Sequence, residues 1–253
     1  MCELKYYSIL GISNKVCRIG IYERVEFMGN NIQAYRKYVV KQKLLGIEDF
    51  EFEVDDRTDT IIIKDYIGSS DVVVIPSFVS KVYIGVFNGV NRNLKVKYTG
   101  NQIKNMDFLF YRYEGRELDL TQLYTTGVES MIHMFGCCRS LKKIDISNLD
   151  ASKVKSMRGM FYGCSSLEGL DLSNINTSKV EDIHEMFGLC GNLKYINISN
   201  FNTSRVKRMD SMFMGCYSLQ EVDLSNFGIS NLSGMNRMIE EVHRIEGCKV
   251  VIV

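Results

Sequence analysis

Residues 141–166 read LKKIDISNLDASKVKSMRGMFYGCSS, and residues 167–192 read LEGLDLSNINTSKVEDIHEMFGLCGN. Laid on one another, the two segments share an apolar skeleton. Ile144-Asp145-Ile146 falls on Leu170-Asp171-Leu172, Met160-Phe161 on Met186-Phe187, Cys164 on Cys190 and Leu167 on Leu193. The same offset of 26 extends outward without slippage, to Leu118-Asp119-Leu120 on one side and to Ile196-Asn197-Ile198 and Val222-Asp223-Leu224 on the other. Met134-Phe135 and Met212-Phe213 keep their places, as do Cys138 and Cys216 and Leu141 and Leu219. A constant period of this length predicts a solenoid. Each unit is one small supersecondary element that cannot bury its apolar face alone, so it stacks on its neighbour.

Upstream of Leu118 the repeat shortens to about 22 to 23 residues. Val72-Val73-Val74-Ile75 reads as a strand closed by Pro76, the chain's single proline. Val82 and Val86-Phe87, then Leu94-Lys95-Val96, continue the pattern, and a degraded copy carries Ile103, Met106 and Leu109-Phe110. Downstream, Ile245, Cys248 and Val250 stand 26 residues beyond Leu219, Val222 and Leu224. Residues 248–253 therefore read as a last edge strand, after a short helix around Met235 to Val242. An apolar edge invites pairing, so a weak dimer through it is the alternative to a monomer.

The first 66 residues have a different texture. Residues 6–10 and 17–27 read as strands, and residues 30–45 as a helix, with Ile32, Tyr35 and Val39 at helical spacing. Phe50 to Val54 alternates as a half-buried strand does, and Thr60 to Tyr66 returns after a polar turn. The end units of a stacked array need a cap. The expected architecture is thus α/β: an α/β N-terminal cap over 1–66 and a solenoid over 67–253. The solenoid has irregular repeats over 67–117, regular ones over 118–247 and the terminal strand.

The segment IKDYIGSSDVVVIPSFVSKVYIGVFNGVNRNLKV, residues 63–96, resembles the shorter repeat of BspA-type bacterial leucine-rich repeat proteins. The 26-residue units resemble the longer repeat of the same family and of mycoplasma surface proteins. The resemblance covers roughly residues 60–253. It implies a curved leucine-rich-repeat body, commonly a surface adhesin or a protein-binding module.

Composition narrows the classes. The chain has 253 residues, 45% hydrophobic and 24% charged, which fits neither a disordered nor a membrane-embedded protein. A net charge of +1 gives no global pull toward nucleic acid or acidic lipid. No basic and apolar leader is visible at the N-terminus, so the expected location is cytoplasmic, with secreted or surface as the alternative. Four of the eight cysteines belong to the repeat, where a small apolar residue fits; reduced, buried thiols are expected. Cys137-Cys138 lacks the spacing of a zinc pair, and His133, His184 and His243 fall in no catalytic motif. The sequence thus predicts no enzyme, no metal and no cofactor.

Strand alternation sorts each unit into faces. The outward residues form three columns. The first is Glu117, Lys143, Gly169, Tyr195 and Glu221; the second is Asp119, Asp145, Asp171, Asn197 and Asp223; the third is Thr121, Ser147, Ser173, Ser199 and Ser225. Ser147-Asn148 and its copies end each strand, and their asparagines read as turn residues satisfying backbone groups. A basic stripe, Lys153, Lys179 and Arg205 with Lys155, Lys207 and Arg208, lies on the other side as a solvated face. The expected function is binding of another protein through the strand face and its flanking loops. The candidate contact residues are Asp119, Lys143, Asp145, Asp171, Tyr195, Asn197, Glu221 and Asp223. Nucleic acid enters only as part of a nucleoprotein partner, and no membrane is expected. An intracellular inhibitor of phage or mobile-element type, docking on a host nuclease or defence complex, and a surface adhesin are the alternative readings.

Overall fold

The computed structural model describes residues 49–252, apart from 56–59, 76–78, 80, 83–84, 99, 101–102 and 229–231. The elements expected over residues 6–45 lie outside the described residues. The first described elements are β1 (Phe50–Asp55) and β2 (Thr60–Tyr66), an antiparallel pair with a bulge between Glu51 and Phe52. β3 (Val72–Ile75), β5 (Leu94–Tyr98), β6 (Glu117–Leu123) and β7 (Lys143–Asp145) follow in a parallel sheet of that order. β4 (Lys81–Val82) leaves this face and pairs with β2 instead. A second parallel sheet holds β8 (Gly169–Asp171), β9 (Tyr195–Asn197), β10 (Glu221–Asp223) and β11 (Lys249–Val251). The two four-stranded sheets follow one another along the front face and are not hydrogen-bonded to each other. The pairs Glu117↔Lys143 and Gly169↔Tyr195↔Glu221 carry the register of the sequence repeat.

The opposite side of each unit is a turn whose backbone bonds to the next unit. The N–H groups of Met131, His133, Phe135 and Cys137 donate to the carbonyls of Ser156, Arg158, Met160 and Tyr162, at 2.6 to 3.0 Å. The same alternation recurs from Met157, Gly159, Phe161 and Gly163 to Asp182, His184, Met186 and Gly188. Tight turns of this shape need left-handed backbone at two places per unit. His133 and Cys137, Gly159 and Gly163, Glu185 and Leu189, and Ser211 and Gly215 all have φ between 47° and 75°. Glycine takes that conformation at no steric cost, whereas the others bear about 1 kcal/mol or more. The back ladder offsets this cost.

Between these two sides the core is a stack of like residues. The rings of Phe50, Tyr66, Phe87, Phe110, Phe135, Phe161, Phe187 and Phe213 form one continuous column, with centroids 4.8 to 5.9 Å apart. From Phe87 to Phe213 the rings lie within 19° of parallel. Phe50 and Tyr66 bring the β1–β2 hairpin into this core, so its start is closed by chain from residues 50–66. At the other end α1 (Leu232–His243) buries Met235, Met238 and Val242, one apolar stripe at helical spacing. Among the described residues α1 is the one helix, and it falls where the sequence placed one. β11 then adds the last strand, but two residues out of the 26-residue register: Val250 pairs with Val222, where the repeat places Cys248, because the helix of the last unit lengthens the path between the strands.

The repeat cysteines do more than fill space. Each thiol donates to the phenylalanine carbonyl of the preceding unit: Cys138 to Phe110, Cys164 to Phe135, Cys190 to Phe161 and Cys216 to Phe187, at 3.0 to 3.1 Å. All four are fully buried and free of disulfides. Burial pushes the Cys164 and Cys190 thiols well up and that of Cys216 up to about 12, so they stay protonated near neutral pH.

Two outcomes follow from this packing. Phe187→Ala opens a gap in the ring column and should destabilise the chain by about 3 to 5 kcal/mol in urea unfolding. A loss below about 0.5 kcal/mol would place Phe187 outside the stack. The four repeat thiols should react with a thiol reagent only after denaturation; labelling of the native chain at any of them would contradict their burial.

Candidate functional site

The front face presents the three columns in register. Tyr195, on β9, is 61% exposed. Its neighbours in the column are Gly169 on one side and Glu221 on the other, and Glu221 pairs with Lys249 at 3.0 Å. At the other end of the column Lys143 lies 3.9 Å from Glu117. These are exposed pairs that contribute little to stability; they fix the charge pattern of the face.

In the second column each acceptor turns back on its own strand. Asp119 accepts from the N–H of Thr121, Asp145 from Ser147, Asp171 from Ser173 and Asp223 from Ser225, at 2.9 to 3.1 Å. Asn197 does the same for Ser199 with its amide oxygen, at 3.2 Å. Position two of the strand therefore needs a short side-chain acceptor, which Asp and Asn both supply. The column is acidic because the local turn needs that acceptor. Bonding with Ser173, its N–H above all, holds the Asp171 carboxyl below the usual range, and bonding with Ser225 does so for Asp223. Asp119 is pulled further. The Lys95 ammonium 2.7 Å away, with the Thr121 hydroxyl at 2.6 Å, holds it down at about 2.

The asparagines that follow the strands tie units together. The amides of Asn148, Asn200 and Asn226 donate to the carbonyls of Thr121, Ser173 and Ser199. On the flank, the basic stripe is partly neutralised in register: Lys155 meets Glu129 at 3.0 Å and Lys207 meets Glu181 at 2.6 Å, each 26 residues away. Arg208 lies 3.6 Å from Asp182.

The candidate residues thus share one face: Asp119, Lys143, Asp145, Asp171, Tyr195, Asn197, Glu221 and Asp223 all line its strands. The structure adds an apolar group that sequence reasoning missed. Tyr217 is 79% exposed on the loop before β10, and Leu189 and Met214 are exposed on the back turns, where the Leu189 N–H donates to the Met214 carbonyl at 2.6 Å. Leu189 packs over Gly215, whose added Cβ would lie 2.8 Å from its side chain. The signal was in the register: Leu189 stands where the neighbouring units have Gly163 and Gly215, and Tyr217 where they have Ser165 and Gly191. His184 also bonds across units, its Nδ1 lying 2.8 Å from the Asp210 backbone carbonyl and 2.9 Å from the Asp210 carboxylate. Among the described residues no group of three or more His, Cys, Asp or Glu is placed to hold a metal ion. No described helix is long and apolar enough to cross a membrane.

Comparison with known proteins agrees with this geometry. The family model described as "Mycoplasma protein of unknown function, DUF285" matches residues 81–195 and 167–247. No curated protein matches the chain in sequence. Among solved structures, a leucine-rich repeat protein from Bacteroides ovatus is similar, with a TM-score of 0.51 and 17% identity, covering 70% of this chain and 46% of that one. A leucine-rich cell surface protein from Faecalibacterium prausnitzii gives a TM-score of 0.47 and 16% identity, covering 70% of this chain and 47% of that one. The T. pallidum leucine-rich repeat protein gives 0.44 and 18%, with 79% and 97% covered. The chain spans about half the length of the first two. The Bacteroides likeness shows the leucine-rich-repeat fold expected from the period.

The column chemistry is open to test at Asp119. Its folded value of about 2 lies below the ordinary value of about 4. It therefore contributes stability that is fully present above about pH 4 and is lost as pH falls through about 2. Lys95→Met should move the Asp119 titration upward in carboxyl-resolved NMR. An unmoved titration would assign the whole shift to Thr121.

Proposed function

The chain belongs to the mycoplasma DUF285 family, and from that premise we propose that it is a non-enzymatic module binding another protein through its front face and flanking loops. The observation that carries the reading is the exposed Tyr195 on β9, flanked by other strands of the front face on both sides. That face is a strip patterned with charge, and within each of its two sheets the strands are paired in register. Aromatic side chains at the centre of an interface carry a disproportionate share of binding energy, and Tyr presents area at low entropic cost. The strip belongs to a preformed scaffold, so little ordering is needed on binding.

Area sets a further condition. Two four-stranded sheets at about 4.8 Å per strand give a strip about 38 Å long. With about 10 Å of strand width it offers about 400 Å², half of the roughly 800 Å² per partner in a standard interface. A stable partner must also touch the flanking loops, and the exposed Tyr217, four residues before β10, supplies apolar area there.

The test is capture from the native cell. Charge reversal at Asp145 and Asp171 combined with Tyr195→Ala should abolish recovery of the partner and leave the thermal melt nearly unchanged. Each replaced side chain lies on the exposed face outside the ring stack, so the variant loses two strand-end acceptors but keeps its core. Recovery at full yield by this triple variant would move the site off the front face.

A further inference from the structure

Three steps of the regular front face carry a shared set of bonds, the step into β11 carries part of it, and one step carries none. At four steps an N–H at or just before the start of the later strand donates to the preceding unit. These are Lys142 to Arg116 at 2.8 Å, Lys194 to Glu168 at 2.9 Å, Gln220 to Lys194 at 3.1 Å and Lys249 to Gln220 at 2.8 Å. At three steps an asparagine amide bonds the preceding strand end. At three steps a buried threonine hydroxyl accepts from the next unit's backbone: Thr125 from Asp150, Thr177 from Asn202 and Thr203 from Gly228, at 2.7 to 2.8 Å. Between β7 and β8 none of these bonds forms among the described residues. The strands do not pair, Glu168 does not reach Lys142, the Asn174 amide does not reach Ser147, and Asn176 has no hydroxyl to meet.

Two residues account for the gap. Ala151 stands where the other units have Thr125, Thr177 and Thr203, and its methyl cannot bracket the next unit. Gly169 stands where the others have Glu117, Lys143, Tyr195 and Glu221, so its place in the outer column is empty. A cleft of about 580 Å³ opens there, lined by Lys143, Ile144, Asp145, Gly169, Asp171 and Asn174 among others. The back ladder continues unbroken across this step, as from Phe161 to Met186 at 2.9 Å. The Phe161–Phe187 spacing, 5.9 Å, is the widest in the ring column. The units are joined at the back and parted at the front.

We propose that this step is a slot for an extended, basic peptide segment of the protein partner, a reading that rests on the front-face function proposed above. β7 and β8 leave unpaired strand edges at the cleft, and such edges are satisfied by an added extended backbone. The charge selects the side chain. Asp119 is matched by Lys95 and Glu117 by Lys143, but Asp145 and Asp171 make no ion pair among the described residues. Both carboxylates line the cleft, and Gly169 leaves room beside them for a lysine or arginine. A nucleic-acid strand would set its phosphates against the same two carboxylates.

The test uses the full chain and two blocked, fluorescent hexapeptides, one alternating lysine and valine and the other glutamate and valine. The lysine peptide should bind and slow hydrogen exchange at the Glu168 amide, which in the free protein exchanges faster than the amides of Lys142, Lys194 and Lys249. Ala151→Thr supplies the missing hydroxyl. It should slow Glu168 exchange in the free protein and weaken the peptide at least about tenfold. The pair Asp145→Asn and Asp171→Asn should weaken it about as much, without changing exchange in the free protein. Equal binding of both peptides, no binding of the lysine peptide, unchanged affinity in both variants, or a Glu168 amide already as protected as that of Lys194 would each overturn the slot. If the lysine peptide fails while the triple variant still loses the partner, the slot falls and the front face stands. Full recovery by the triple variant overturns the front face itself.

Discussion

The stack of phenylalanine rings is the constraint on which the rest of the fold depends. A unit of 26 residues has too little apolar surface to close a core of its own. Its ring acquires two apolar faces only when the units before and after it supply theirs. The thiol adds a polar link at the same depth, because a carbonyl buried beside the rings must be satisfied. Cysteine is suited to that place: it is small, apolar enough for a dry core, and still a weak donor. The left-handed turns, the back ladder and the strands are what a backbone must do to bring each ring onto the last.

The outer face obeys a second rule, that of local satisfaction. The Asp column gives each strand end an acceptor for the N–H two residues on, and the asparagine that follows spends its amide on the unit before. Charge on this face is therefore a by-product of turn chemistry, and in-register lysines meet part of it. What distinguishes one unit from another is the first column, where the backbone asks for nothing. Glu117, Lys143, Gly169, Tyr195 and Glu221 have little structural work in common, and so this column is free to carry specificity.

The period made most of this architecture legible. Strand positions, the ring column and the buried cysteines followed from one offset, because stacking forces equivalent residues into equivalent places. The final strand was found by the same offset but pairs two residues away from it, since the helix before it has no counterpart in the other described units. The asparagines were readable as turn residues for the same reason. The front column was legible residue by residue, since alternation decides which way a strand residue points. Two features were not read. The exposure of Leu189, Met214 and Tyr217 depends on a loop path that alternation does not describe. The meaning of Ala151 depends on a bond to a backbone group 25 residues away, which shows as a missing hydroxyl only when the other threonines are seen to make it.

An interruption like that between β7 and β8 would be costly in a protein whose parts all touch. In a solenoid each unit meets only its neighbours, so stability is close to a sum of local terms. A step that loses its front bonds keeps its rings, its thiol and its back ladder, and the other steps are unaffected. The residues that open it are the two substitutions a stacked array tolerates most easily, a small apolar residue for threonine in the core and glycine in an exposed column. Its unpaired groups face solvent, where water satisfies them at little cost. The same arithmetic makes the gap adjustable: one hydroxyl at residue 151 is enough to bias it toward closure, without any change in the core on which the fold depends.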